Sequence, residues 1–267
     1  MQMKLQFIGV RSKILKIGES VFDAFCEGLD QGKERLDQHD IICISSKIVA
    51  LEQGRVIFLE KVPVHPQAFQ LAKHTGLDEH FTSLIISEAE TIIGGVSGAF
   101  LTLREGILEA NAGIDRSNAQ PGCAILLPDN PQQFAMQFRK RCLDELGVDV
   151  GVIIQDSSTR PLRRGTVGIC LAASGFPAVV DDRGTPDLFG KKMLITTRAI
   201  ADNITCGANL VMGETNQQTP FVIVRGVPYD EWIPRAMDNK DMFIPFDQCL
   251  YFKHFSGKKL FSKAESS

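Results

Sequence analysis

The run VDVGVIIQD at 148–156 constrains the chain more than any other feature. It is almost uninterrupted in apolar residues over the length of a strand, so a strand there has to be covered on both faces. It ends abruptly in the polar cluster QDSSTRPLRRG at 155–165, which sets Asp156 beside Ser157 where the buried strand would emerge. The preceding segment reads as the helix that delivers the chain to it. Asn130 followed by Pro131 is a strong helix start, because proline at the first helical position forfeits no needed hydrogen bond. Phe134, Phe138, Cys142 and Leu146 then recur every four residues, which makes this helix amphipathic.

The remaining elements follow from periodicity and breakers. LQFIGV alternates as a strand, and DIICISSKIVAL at 40–51 is a β-branched run that reads as one or two more. Residues 19–37 read as a helix with Val21, Phe22, Phe25 and Leu29 on one stripe, and Lys13 falls in the loop before it. Short helices are expected at 66–75 and 77–90, after which Gly94, Gly95 and Gly98 break the pattern. AILLP is a short strand, a helix at roughly 198–211 stops at Gly213, and FVIVRG at 221–226 is a further strand. The Lys- and Ser-rich end at 257–267 reads as frayed. Strands and helices mix without the strict alternation of a doubly wound sheet. The expectation is therefore α+β, with mixed and antiparallel sheets and packed helices, in one unit spanning 1–267.

At 267 residues, 44% of them hydrophobic, the chain has enough apolar material for a full core. A net charge of −3 gives no footprint for nucleic acid or an anionic membrane, so any anionic ligand has to be met by local basic residues. The N-terminus lacks a signal-peptide pattern and no stretch approaches the length of a membrane span, so a cytoplasmic protein is expected. Seven cysteines (Cys26, Cys43, Cys123, Cys142, Cys170, Cys206 and Cys249) are scattered without a CxxC pair. They read as small buried apolar side chains, not as a disulfide framework or a zinc site.

The polar motifs carry the chemistry. EANAGIDRSNAQPG at 109–122 holds Asp115 and Asn118 three apart in a small-residue loop. Asp115, Asp156 and Glu214 each lie just outside a strand or helix, where carboxylate and carbonyl oxygens suit a hard cation. Each alone reads first as a turn or cap residue bonding its own backbone. No Walker A pattern or GxGxxG fingerprint is present, and GGVSG at 94–98 has neither spacing. A nucleotide would need another cradle, and Lys13, Lys47 and MGETNQQT at 212–219 are the candidates, the last being otherwise a solvated loop. RPLRRGT packs Arg160, Arg163 and Arg164 around a proline, either to grip carboxylates or phosphates bidentately or simply as a charged surface loop. No GxSxG element occurs, which disfavours serine or cysteine triad chemistry.

Taken in order, ANAGIDRSN, IIQDSSTRPLRRG, DDRGTPDLFGK at 181–191 and ANLVMGE at 208–214 resemble the coenzyme F420-0:γ-glutamyl ligase family, from about residue 7 to residue 226. FIGVRSKILKIGES is similar to the family's opening segment, and SSKIVALEQGR corresponds to its QKIVSKAEGR element. The resemblance implies a two-lobed fold that pairs as a homodimer through extended sheet. It also implies a GTP- and divalent-metal-dependent ligase that joins L-glutamate to the lactyl-phosphate tail of a deazaflavin precursor. Physically, a γ-phosphate passed to the acceptor carboxylate gives an acyl phosphate that the glutamate amine attacks, while Mg²⁺ or Mn²⁺ neutralises charge.

By the same resemblance, Asp115 and Asp156 match a first metal site, Ser157 and Glu214 a second, and Asn118 a nucleotide contact. Val10, Arg11, Ser12 and Lys13, the pair Ser46 and Lys47, and Met212, Gly213, Glu214, Thr215, Asn216, Gln217, Gln218 and Thr219 fall where the family meets GTP, for which ATP is the alternative. Asp115, Asp156 and Arg160 are taken as the catalytic residues; Arg160, Arg163 and Arg164 are assigned here to the acceptor phosphate or the glutamate carboxylates, and Leu162 to the acceptor. Ala50 and Leu51 replace a serine and a lysine of the family, Leu162 a tryptophan, and Glu105 a frequent histidine. These departures motivate two alternatives: the same chemistry on a folate or dihydropteroate acceptor, and a nucleotide- and metal-binding homologue without catalysis.

Overall fold

The structure is a computed structural model that describes residues 4–237, 239–252 and 261–262. In chain order it begins with β1 (Gln6–Val10), α1 (Val21–Gly32), β2 (Ile41–Ser45) and α2 (Ser46–Glu52). There follow β3 (Val56–Phe58), α3 (Ala68–Thr75), α4 (Glu79–Glu88), β4 (Thr91–Val96), β5 (Ala99–Arg104), β6 (Ile107–Ala110) and β7 (Cys123–Ile125). The chain continues through α5 (Pro131–Leu146), β8 (Gly151–Thr159), β9 (Thr166–Ser174), β10 (Val179–Asp181), β11 (Thr197–Ala199), α6 (Ile200–Met212), β12 (Phe221–Arg225) and α7 (Tyr229–Trp232), and β13 is Phe261–Ser262. Two compact units result, one from the residues up to Glu52 together with Asp129–Met242, the other from Gln53–Pro128 with the residues from Phe243 onward.

The first unit is built on a five-stranded sheet in the order β1-β12-β2-β8-β9. Only β2 and β8 run parallel, in a register that sets Ile41 beside Gly151 and Ser45 beside Gln155. The other pairs are antiparallel, so the sheet is mixed and the fold is α+β, as expected. The buried run at 148–156 does have two covered faces. On one, Ile41, Cys43, Ile153, Cys170, Val222 and Val224 pack with Ile200, Ile204, Ala208 and Met212 of α6. On the other, Phe138 of α5 meets Phe22 and Phe25 of α1 edge-on, with ring centroids 5.1 and 5.6 Å apart, and Phe25 meets Phe221 of β12 at 5.2 Å. Each such side chain contributes about 1.5–3 kcal/mol by leaving water. Gly168 lets α6 lie against β9, since a Cβ there would stand 2.4 Å from the Thr205 carbonyl oxygen.

Several local expectations are corrected here. The run at 40–51 is a strand only to Ser45, after which Ser46–Glu52 is helical. Tertiary packing overrides β-branched preference there, because the helix buries Ile48, Val49 and Ala50. The same helix aims the Glu52 carboxylate at the start of α1, where it accepts the Val21 N–H at 2.6 Å. The helix α1 ends at Gly32, short of 37, because Lys33 turns left-handed and its N–H closes onto the Asp30 and Leu29 carbonyls. Asn130 does start α5 but through a left-handed backbone, φ 45°, with no side-chain cap. Of the cysteines, Cys43, Cys123, Cys142 and Cys170 are buried, Cys26 and Cys249 half-buried and Cys206 exposed.

The second unit holds the antiparallel sheet β13-β4-β5-β6 and the pair β3-β7. Phe81, Ile85, Ile92, Phe100, Ala112 and Leu126 form its core. Gly94 and Gly95 lie inside β4, where the register shifts between Ile92 and Gly94, and Gly98 makes the turn into β5. Within the stretch 257–267 that reads as frayed, Phe261 and Ser262 instead pair with Ile92 and Thr91, and Phe261 is buried in this core. The rest of that stretch lies outside the described residues.

Candidate active site

One end of the five-stranded sheet gathers most of the residues singled out from the sequence. Val10, the last residue of β1, pairs with Phe221, the first of β12, and Phe221 pairs in turn with Ile44. Just beyond, Ser12 donates its N–H to the Gln218 carbonyl at 3.2 Å and Ser45 donates to the Pro220 carbonyl at 3.0 Å. The segments Val10–Lys13, Ser45–Lys47 and Met212–Thr219 are therefore brought together by backbone hydrogen bonds. Because β2 and β8 are parallel and Ser45 sits beside Gln155, Asp156 and Ser157 continue the same end. Loops at the carboxyl ends of parallel strands are where α/β sheets bind ligands.

Glu214 is the most elaborately held side chain of this group. Its Oε1 accepts from Thr166 Oγ1 at 3.0 Å and Asn209 Nδ2 at 2.9 Å, and its Oε2 from Ser157 Oγ at 3.3 Å. The Ser157 N–H meanwhile donates to Asp156 Oδ1 at 2.8 Å, so Ser157 stands between the two carboxylates. Gly213 ends α6 with φ 69°, and a Cβ there would press to 2.4 Å on the Gln217 side chain, whose Oε1 accepts from the Thr215 N–H. Gln155 is buried and its Oε1 accepts no hydrogen bond among the described residues.

Basic groups border this end. Lys13 pairs with Glu27 at 3.2 Å on the surface, and that hydrogen bond holds its ammonium above the usual lysine range. Arg160, Arg163 and Arg164 are exposed in the loop between β8 and β9, where the Arg163 N–H donates to the Arg160 carbonyl. Leu162 is wholly exposed at φ 58°, a strained setting for a leucine. Ala50 and Leu51 are on α2, Ala50 fully buried.

Asp115 and Asn118 belong to the second unit. Asp115 exchanges backbone hydrogen bonds with Ile125 at 2.9 and 2.8 Å, and its carboxylate accepts from the Ser117 N–H and Oγ at 2.6 and 2.7 Å. The loop leading to it is left-handed at three successive residues, Asn111, Ala112 and Gly113. The Ala112 N–H is held by Thr102 Oγ1 and the Asn111 side chain accepts from the Phe100 N–H. Glu105, also left-handed, donates its N–H to Glu90.

Among the described residues no three His, Cys, Asp or Glu side chains gather as a metal cage. The first unit offers instead the Glu214 carboxylate beside the Ser157 and Thr166 hydroxyls, with Asp156 next to Ser157 along β8. That donor set fits Mg²⁺ or Mn²⁺, which are commonly held by one or two carboxylates plus substrate phosphates and water. Thr166 and Asn209 escaped sequence reasoning, although one closes RPLRRGT and the other lies inside ANLVMGE. No helix of the described residues is long and apolar enough to cross a membrane.

Comparison with known proteins gives a consistent result. Residues 9–226 match the family F420-0:Gamma-glutamyl ligase. A relative named coenzyme F420:L-glutamate ligase in Methanopyrus kandleri is 41% identical over 193 residues, 72% of this chain and 77% of its own. Proteins of the same name in Methanothermobacter thermautotrophicus and Methanocaldococcus jannaschii are 34% and 38% identical, each over 85% of this chain and over 91% and 90% of their own.

Proposed function

Because the chain belongs to the F420-0:gamma-glutamyl ligase family, we propose that it joins L-glutamate to the carboxylate of a coenzyme F420-0-like acceptor, using GTP or ATP and Mg²⁺ or Mn²⁺. The observation that carries this reading is the meeting of Val10–Lys13, Ser45–Lys47, Asp156–Ser157 and Met212–Thr219 at one end of the sheet. The γ-phosphate is transferred to an acceptor carboxylate oxygen, with release of the nucleoside diphosphate. The glutamate amine then attacks the acyl carbon, loses a proton and expels inorganic phosphate, leaving an amide. A divalent cation would be held by Glu214 and Ser157, with Asp156 at a further metal position, and would supply charge neutralisation on the phosphoryl oxygens.

The chain's own residues do the positioning. Lys13 and Lys47 meet phosphate oxygens, and Lys13 can leave Glu27 at small cost because the pair is exposed and screened by solvent. Backbone groups of Arg11, Ser12 and Ser46 and the polar run Thr215–Thr219 line the nucleotide. Arg160, Arg163 and Arg164 take the acceptor phosphate and the glutamate carboxylates in bidentate fashion, and exposed Leu162 offers an apolar face to the acceptor's ring. Asp115 and Asn118 are assigned a metal and a nucleotide role by resemblance alone.

Incubating the purified protein with GTP or ATP, Mn²⁺, glutamate and either F420-0 or dihydropteroate tests the proposal. A glutamylated F420-0 product with matching phosphate release is expected. Turnover of dihydropteroate alone would sink the F420-0 assignment, and nucleotide and Mn²⁺ binding without any product would favour a non-catalytic homologue. Pairing as a homodimer belongs to the same reading. It is supported by the segment 182–196, where Leu188, Phe189, Leu194 and Ile195 are left exposed, large apolar side chains of a kind that marks interaction surfaces. A monomer by sedimentation velocity would remove it.

A further inference from the structure

A carboxylate offers about four acceptor directions, two at each oxygen. At Glu214, Oε1 has both filled by Thr166 and Asn209, whereas Oε2 has one filled by Ser157. Counted this way, the one direction left for a cation is on Oε2. A second observation concerns the same corner. Gln155 and Ser157 project from one face of β8 by strand alternation. Their partners on β9, Cys170 and Gly168, both lie under α6. The buried Gln155 Oε1, which accepts no hydrogen bond from the described residues, therefore adds to that face a neutral oxygen in want of a donor or a cation.

We propose that Thr166 and Asn209 are positioning residues that hold Glu214 to one free oxygen, so that the site takes a small octahedral cation and rejects Ca²⁺. The inference rests on the metal-dependent reading above. Mg²⁺ and Mn²⁺ are content with single oxygens from each carboxylate and retain waters. Ca²⁺ gathers about 6–8 oxygens and readily uses both oxygens of one carboxylate. Glu214 can offer both only by surrendering the bonds from Thr166 and Asn209. The same bonds fix the direction of the remaining lone pair, as partners of metal-binding carboxylates commonly do.

The test is Mn²⁺ binding to the intact protein, followed by the paramagnetic resonance signal of free Mn²⁺, with Ca²⁺ as competitor and no nucleotide or acceptor present. Wild-type protein is expected to bind Mn²⁺ and to need a large excess of Ca²⁺ to release it. Thr166→Val and Asn209→Ala should each lower that discrimination by roughly tenfold, and Thr166→Ser, which keeps the hydroxyl, should preserve it. Thermal melting confirms that each variant is folded, and either variant alone suffices for the comparison. Mn²⁺ binding with discrimination unchanged in the folded variants overturns the clamp and leaves the metal reading standing. Wild-type protein that binds no Mn²⁺ overturns both.

Discussion

Gly168→Ala links the packing of the sheet to the candidate site through a single methyl group. The added Cβ would stand 2.4 Å from the Thr205 carbonyl oxygen and 2.6 Å from its carbon, both backbone atoms of α6. Ordinary contact begins at 3.4 Å, so the helix has to retreat from β9 by about 1 Å. Asn209 and Glu214 move with α6, and their 2.9 Å bond survives. Thr166 and Ser157 stay with the sheet, so their bonds to Glu214, 3.0 and 3.3 Å long, open to about 4 Å and are lost. Overpacking of this kind costs about 1–3 kcal/mol of stability. A 1 Å misplacement at a reacting centre can cost on the order of a hundredfold in rate. Urea unfolding followed by circular dichroism reads the first quantity, and phosphate release with F420-0 and glutamate reads the second. A variant as stable and as fast as the wild type would refute the reasoning, since it would mean that α6 does not bear on β9 at this point.

Other perturbations probe separate parts of the molecule. Asp40 is buried and accepts from Arg225 Nε and Nη2, so Arg225→Ala leaves an uncompensated carboxylate and should cost about 3–5 kcal/mol, measurable by urea titration. Asp115→Asn should abolish product formation while leaving the melting temperature near that of the wild type, and unchanged turnover would count against its metal role. Burial pushes the Cys142 thiol up to about 12 and the Cys43 and Cys170 thiols also upward, so all three should resist iodoacetamide at pH 8 until the protein unfolds. Exposed Cys206 should be alkylated before those three, as peptide mass spectrometry would record, even though partial burial raises its thiol as well.

What could be read in the sequence was what local pattern determines. The apolar run at 148–156 announced a strand with two covered faces, and the spacing of Phe138 and Cys142 announced the helix over one of them. Motif order was enough to reach the family. The passage from β2 into α2 was not legible, because Ile48 and Val49 favour strand locally and turn helical only against neighbours distant in sequence. Phe261 and Ser262 were hidden for a similar reason, since a short polar-flanked stretch gives no sign of its partner across the unit. At the candidate site, Glu214 stands out as a carboxylate in a polar turn, whereas Asp156, expected just outside its strand, lies inside β8, which continues in pairing with β9 as far as Thr159. Thr166 and Asn209 do not stand out, because a hydroxyl and an amide acquire meaning only from what they touch. Asp115 was noticed for its loop, and the structure adds that the loop is left-handed over three residues.

The strand order carries a consequence for how the polypeptide reaches this state. β12 lies between β1 and β2, and those two strands share no hydrogen bonds with each other. As the chain emerges from the ribosome, β1 thus waits without the neighbour it pairs with until residues 221–225 appear, more than two hundred positions later. Contacts so remote in sequence are slow to close. The end of the sheet where Val10, Ser45 and Phe221 meet is accordingly among the last parts of the molecule to take shape during synthesis, and the exposed edges of β1 and β2 in that interval are a natural place for a chaperone to act.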